Sequence, residues 1–159
     1  MDSEIALFWS KIVQAHPDLA GRPYHVEQFG SPGELAQQLA DLIVSGEKYA
    51  TCGALVEYQH QGGTIPHVGY LTIVLDGREK PVAAIETTQV SLRRFRDVDA
   101  VFAAAEGEGD KSLAYWRQAH QTFFEESLAA IDKNFTEDMW LVCEYFRLLS
   151  IAETKTAPE

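Results

Sequence analysis

The sequence predicts an α+β fold, a small and mostly antiparallel β-barrel flanked by helices. Two observations carry this expectation. Amphipathic helical stripes bracket a run of strand-like segments joined by a tight-turn signal at Asp76-Gly77, which favours antiparallel pairing. Helices and strands also follow one another without a regular βαβ alternation, which argues against a doubly wound parallel sheet.

From the start, Ile5, Phe8, Trp9, Ile12 and Val13 fall at helical spacing, with Ser3 as the expected N-cap and His16-Pro17 as the stop. Residues 24–29 read as a short extended piece. Ser31-Pro32-Gly33-Glu34 has the form of a capping box, followed by an apolar stripe of Leu35, Leu39, Leu42 and Ile43. Gly46 suits the left-handed position that ends this helix. Residues 49–58 read as a strand, Gln61-Gly62-Gly63 as a turn, and residues 67–76 as a strand ending in the Asp-Gly hairpin. Strands over 81–90 and 91–95 follow, then a short helix capped by Asp97 and running to Ala105. Residues 105–112 form an acidic loop by composition. A long helix over 112–131 buries Leu113, Trp116, His120, Phe123, Phe124, Leu128 and Ile131. After a turn at Thr136-Glu137-Asp138, residues 139–149 form a buried strand, and the polar residues after Ile151 form a tail.

The 159 residues suit a single domain, since domains commonly run to roughly 100–150 residues. Apolar content of 46% and charged content of 23% are ordinary for a globular protein. Met1-Asp2-Ser3-Glu4 lacks the basic, apolar start of a signal peptide, and no apolar run is long enough to span a bilayer, so a cytoplasmic location without a membrane partner is expected. Cys52 and Cys143 lie in apolar runs and read as small core residues. With 24 acids against 13 bases, the net charge of −11 argues against long nucleic acid, duplexes included, because lysine and arginine drive phosphate binding. A small nucleoside, or a short single strand in one local pocket, is compatible with it. The sequence sets no oligomeric state.

Walker-type and dinucleotide-binding glycine loops are absent. Glu106-Gly107-Glu108-Gly109-Asp110 lacks an EF-hand spacing and reads as an exposed acidic loop. The five histidines show no metal-ligand spacing, and His120 reads as a satisfied core or edge histidine. Lys48 and Thr51, three residues apart at a helix-to-strand junction, stand out. They converge if the turn persists to Tyr49, and they face opposite ways if the strand begins at Lys48. Arg93, Arg94 and Arg96 read either as phosphate partners or as the charged face of an edge strand.

Gly46-Glu47-Lys48-Tyr49-Ala50-Thr51, following a helix that ends Leu42-Ile43-Val44-Ser45, resembles the opening motif of ASCH domains. The resemblance continues through Val68-Gly69, Val74-Leu75-Asp76-Gly77, Ile85-Glu86-Thr87-Thr88, residues 105–113 with Trp116, and Phe135-Thr136-Glu137-Asp138-Met139. It spans residues 31–150, leaving 1–30 as an N-terminal helix and extended segment packed on the domain and 151–159 as the tail. It implies a PUA-like β-barrel with a cleft for RNA or modified nucleosides. Family members include RNA-binding modules, ribonucleases and amidohydrolases acting on N4-acylated cytidines. In the amidohydrolases a threonine, a lysine and a glutamate react, which the motif carries onto Thr51, Lys48 and, through Ala105-Glu106-Gly107-Glu108, onto Glu108. Tyr49 and Ser112 are candidate helpers.

The leading expectation is a binding domain centred on Lys48, with Tyr49, Arg93, Arg94 and Ser112 as ligand contacts and no cofactor. An amidohydrolase using Lys48, Thr51 and Glu108 is the first alternative. A ribonuclease is the second, and the one reading that requires a divalent metal. In the amidohydrolase, Lys48 would take the Thr51 proton. A helix C-terminus and a nearby glutamate instead favour the charged lysine, which suits a fixed positive charge.

Overall fold

The computed structural model describes residues 3–153 and shows the expected class, α+β with a mostly antiparallel sheet and flanking helices. The sheet has five strands in the order β1-β3-β4-β5-β2: β1 His25–Gln28, β2 Ala50–Ala54, β3 Leu71–Leu75, β4 Pro81–Arg94 and β5 Trp140–Ile151. The β1–β3 ladder is parallel, pairing His25 with Thr72 through Gln28 with Leu75. The β3–β4 and β2–β5 ladders are antiparallel. The helices are α1 Ser3–Ala15, α2 Glu34–Ser45, α3 Leu55–Gln61, α4 Ala100–Glu106 and α5 Leu113–Ala129.

The chain divides into two compact units, with β4 and β5 each contributing residues to both. One contains α1, β1, α2, β3, the start of β4 and the end of β5. Its core joins Phe8, Ile12, Leu19, Leu71, Ile73 and Ala84. Gly77 is needed there because a Cβ would strike the carbonyl of Gly33. The other unit contains β2, α3, α4, α5 and the remainder of β4 and β5. Ala50, Phe95, Phe102, Trp116, Phe124, Leu128 and Leu141 form its core. Burying each large side chain contributes about 1.5–3 kcal/mol.

Several local expectations are corrected. Ser3 is already helical rather than capping α1. The capping box at Ser31 is not formed: α2 starts at Glu34 behind Gly33, at φ 97°, without a side-chain cap, and the backbone carbonyl of Ser31 takes the Ala36 N–H. Gly46 ends α2 in the left-handed conformation, as expected. The strand after it stops at Ala54. Residues 55–61 form α3 despite their β-favouring Val56 and Tyr58, and the Tyr58 ring folds back over the bare Cα of Gly53.

Residues 67–70 precede β3 rather than belonging to it. The Asp76 turn is longer than a two-residue hairpin. Asp76 Oδ1 accepts from the N–H groups of Arg78 and Lys80, and Glu79 takes the left-handed position. The two strands expected over 81–95 are one strand, β4, lying between β3 and β5 in the sheet order, with β3 paired along residues 81–86 only. Asp99, not Asp97, caps α4, accepting from the Phe102 N–H at 2.9 Å. Strand β5 extends past the expected end at Leu149 to Ile151, and residues 154–159 of the expected tail lie outside those described.

Candidate functional site

Helix α4 is apolar along Phe102, Ala103 and Ala105, and burying that face carries its last residue, Glu106, into the interior at 1% exposure. Gly107 ends the helix at φ 72°. A Cβ there would strike the carbonyl of Glu47, so the glycine lets the end of α4 lie against the Glu47–Lys48 backbone. Tyr49 completes the join, its N–H donating to the Ala105 carbonyl at 2.9 Å and its carbonyl accepting from the Phe146 N–H at 3.0 Å. This backbone junction buries Lys48 at 2% exposure.

A charge network follows. Lys48 Nζ donates to Glu106 Oε1 at 2.8 Å and to Glu108 Oε2 at 3.1 Å. From α5, Trp116 Nε1 donates to Glu106 Oε2 at 2.6 Å, and His120 Nε2 lies 3.2 Å from the same oxygen. The Trp116 and His120 rings stack at 4.2 Å. His120 Nδ1 lies 2.9 Å from the Trp116 carbonyl. Both imidazole nitrogens therefore face acceptors, a geometry that the doubly protonated ring satisfies. In that form two cations offset two carboxylates.

The titration directions agree. Burial opposes charge on Lys48, but Glu106 and then Glu108 outweigh it and raise the ammonium above its ordinary 10.5. Burial also opposes charge on Glu106, yet Lys48 and His120 hold it well below the usual carboxylate range. His120 is raised above 6.5: burial opposes its charge, and Glu106 and Glu108 outweigh the burial. Burial, then Glu106, pushes the Cys52 thiol well up, and burial pushes Cys143 to about 12.

A family model described as ASCH domain matches residues 25–150. The chain belongs to the ASCH domain family. A crystal structure of an ASCH domain from Lactobacillus crispatus JV V101 is similar at 36% identity and TM-score 0.88, covering 94% of this chain and 96% of that one. Protein EF3133 from Enterococcus faecalis V583 is similar at 35% identity and TM-score 0.84, covering 94% and 92%. No curated protein matches. Among the described residues, no helix of this ASCH domain is long and apolar enough to cross a membrane.

In the ASCH fold Lys48 and Glu108 form an ion pair, and Thr51 is hydrogen-bonded to neither. Side chains alternate along β2. Cys52 faces Glu106, with Sγ 3.4 Å from Oε2, and the Lys48 ammonium lies on that side. Thr51 faces the other way, opposite Glu144 on β5, and among the described residues its hydroxyl has no hydrogen-bond partner.

The remaining candidates have other partners. Ser112 caps α5, accepting from the Tyr115 N–H. Tyr49 exposes its ring, 6.4 Å from that of Tyr145. Arg93 lies over Phe102 and 3.6 Å from Asp99. Arg94 lies over Trp140, and both Arg94 and Arg96 pair with Asp138.

Cys52, Glu106 and His120 place donor atoms within 4.8 Å of one another. A thiol, an imidazole and a carboxylate suit zinc chemistry rather than the hard, oxygen-liganded cations magnesium and calcium. Both Glu106 oxygens are already occupied by donors, so this set does not fit the metal a ribonuclease reading requires. The corrected element is Glu106, which composition assigned to an exposed loop. Trp116 and His120, four apart on one helix face, present two ring N–H donors to one spot, and that signal called for a buried acceptor.

Proposed function

We propose that this ASCH domain binds a nucleoside, free or as a base of a short single-stranded RNA, at the Glu108 end of the Lys48 network. The observation that carries this reading is a gradient of exposure along one ion-pair chain. The side chains of Lys48 and Glu106 are 1% and 2% exposed, whereas Glu108 retains 16%. A ligand would therefore meet a carboxylate anchored from behind by a buried cation, a good acceptor for the N–H groups of a base and a poor one for phosphate. The exposed Tyr49 ring, adjacent in sequence, offers an aromatic face for stacking, a contact that contributes about 1–3 kcal/mol per base. The net charge of −11 favours a neutral ligand in the same way.

Calorimetric titration with the four ribonucleosides and with short oligoribonucleotides tests the reading. Binding that is insensitive to salt and lost in Glu108→Ala supports it. Affinity that requires phosphates and falls steeply with salt contradicts it.

The free Thr51 hydroxyl supports amide hydrolysis as a second reading. With Lys48 held charged, that chemistry would need another proton acceptor for Thr51. Acid release from N4-acetylcytidine, abolished in Thr51→Val, supports hydrolysis, and no release at high protein concentration refutes it.

A further inference from the structure

The face of β2 turned away from Lys48 carries a polar set that the network does not use. Thr51 and Glu144 are direct cross-strand partners in the β2–β5 ladder, so their side chains share a face with Cβ atoms about 5 Å apart. Glu144 is 7% exposed, and its Oε1 accepts from the hydroxyl of Thr87, itself 1% exposed, at 2.8 Å. Among the described residues, neither Glu144 Oε2 nor the Thr51 hydroxyl has a partner. Neither atom is sealed either, because the enclosed unpartnered side-chain oxygens of the described residues are Glu57 Oε1 and Ser127 Oγ. Glu144 thus keeps one carboxyl oxygen that no described group bonds and that is not enclosed, on the face that carries the Thr51 hydroxyl.

The surroundings are built rather than incidental. The Tyr58 ring of α3 covers Gly53, two residues along the same face, where any Cβ would collide with it. The N–H of Gly69 donates to the Thr87 carbonyl at 2.8 Å, bringing the loop after α3 onto the neighbouring strand. A ligand that bonds both atoms takes the place of the solvent that reaches them.

We infer that Thr51, Thr87 and Glu144 form a ligand site that takes a small neutral molecule through a planar edge with a hydrogen-bond donor beside an acceptor, as in an amide or lactam. The donor meets Glu144 Oε2, and the acceptor meets the Thr51 hydroxyl. Glu144 itself repels anions, and burial raises its carboxyl above the ordinary 4.5 against the opposing Thr87 hydrogen bond and Lys48 charge, towards a form that pairs with neutral groups. None of its three residues is hydrogen-bonded to Lys48, Glu106 or Glu108, and its test is read apart from the nucleoside reading.

The test is a titration of the ¹⁵N-labelled full chain with 2-pyridone, which has a lactam edge, and with 1-methyl-2-pyridone, in which the donor is blocked. Expected are saturable amide shifts at Thr51, Gly53, Thr87 and Glu144 with 2-pyridone, and binding about tenfold weaker or worse for the methylated probe. Thr51→Val keeps the side-chain shape and is expected to weaken 2-pyridone binding about tenfold. Glu144→Ala does the same, while Glu144→Gln stays within about threefold because an amide still presents both functions. An absence of saturable shifts, leaving the site to water alone, would overturn the inference. So would equal affinity of both probes, or shifts confined to Lys48, Glu106 and Glu108 and abolished by Glu108→Ala. That last pattern would leave the Glu108 site standing by itself.

Discussion

Lys48 and Glu106 meet at 2.8 Å inside the protein, an ion pair between the helix-to-strand junction of the motif and the last residue of α4. Because both partners are buried, each depends on the other for compensation of its charge. Replacing Lys48 with Met leaves Glu106 and Glu108 without their shared cation. The expected loss is about 3–5 kcal/mol of unfolding free energy, measured by urea denaturation. The double variant Lys48→Met/Glu106→Gln is expected to lose less than the sum of the two single losses, since the second change removes the charge that the first exposed.

Trp116→Phe keeps the aromatic core position and deletes the N–H that reaches Glu106 at 2.6 Å. Hydrogen bonds to charged groups contribute about 1.5–3 kcal/mol, and a loss of that size is expected in the same denaturation experiment. A loss below about 0.5 kcal/mol would mean that solvent replaces the indole at the carboxylate.

Stability is expected to fall on both sides of a mildly acidic plateau. Glu106 is lowered from 4.5, so its contribution is present above 4.5 and lost as pH falls through its folded value. His120 is raised from 6.5, so its contribution is complete below 6.5 and lost as pH rises through its folded value. Glu144 is raised from 4.5, so its contribution is complete below 4.5 and lost as pH rises through its folded value, which leaves the acid limb to Glu106. His120→Gln is expected to flatten the decline above 6.5 and leave the acid limb in place, as read from denaturation midpoints across pH. Glu144→Gln is expected to raise stability at neutral pH.

Gly107→Ala tests the junction that buries Lys48. The added Cβ meets the Glu47 carbonyl in a backbone conformation that alanine adopts with strain. Such strain costs about 1–3 kcal/mol. The expected result is a destabilised chain whose amide spectrum changes first at Glu47, Lys48 and Tyr49.

The thiols are expected to be inert in the folded state. Both are raised, Cys143 to about 12, so almost no thiolate exists at neutral pH. A chromogenic thiol reagent should react with both in denaturant and with neither at an appreciable rate in native buffer.

The fold class was legible because hydrophobic period and turn chemistry act locally: α1, α2 and α5 announce themselves by their stripes, and β4 and β5 by their apolar runs. Helix α3 was not legible. Val56 and Tyr58 favour strands by propensity, and the Tyr58 ring meets the bare Gly53, a contact that spacing cannot show. Lys48 and Glu108 were legible through the motif. Glu106 was hidden because two glycines and three acids have the composition of a solvated loop, while its burial is imposed by the apolar face of α4. The separation of Thr51 from Lys48 is a matter of register. Tyr49 already shares backbone hydrogen bonds with Ala105 and Phe146, so strand-like alternation begins before Thr51 and turns its side chain to the Glu144 side.

The protonation state of Lys48 decides between a base and a fixed positive charge, and NMR titration of its ε-methylene and Nζ resonances reads that state directly. The ammonium is expected to remain protonated through neutral pH and to titrate above 10.5. A midpoint near or below neutrality would contradict the account and return Lys48 to the role of a base.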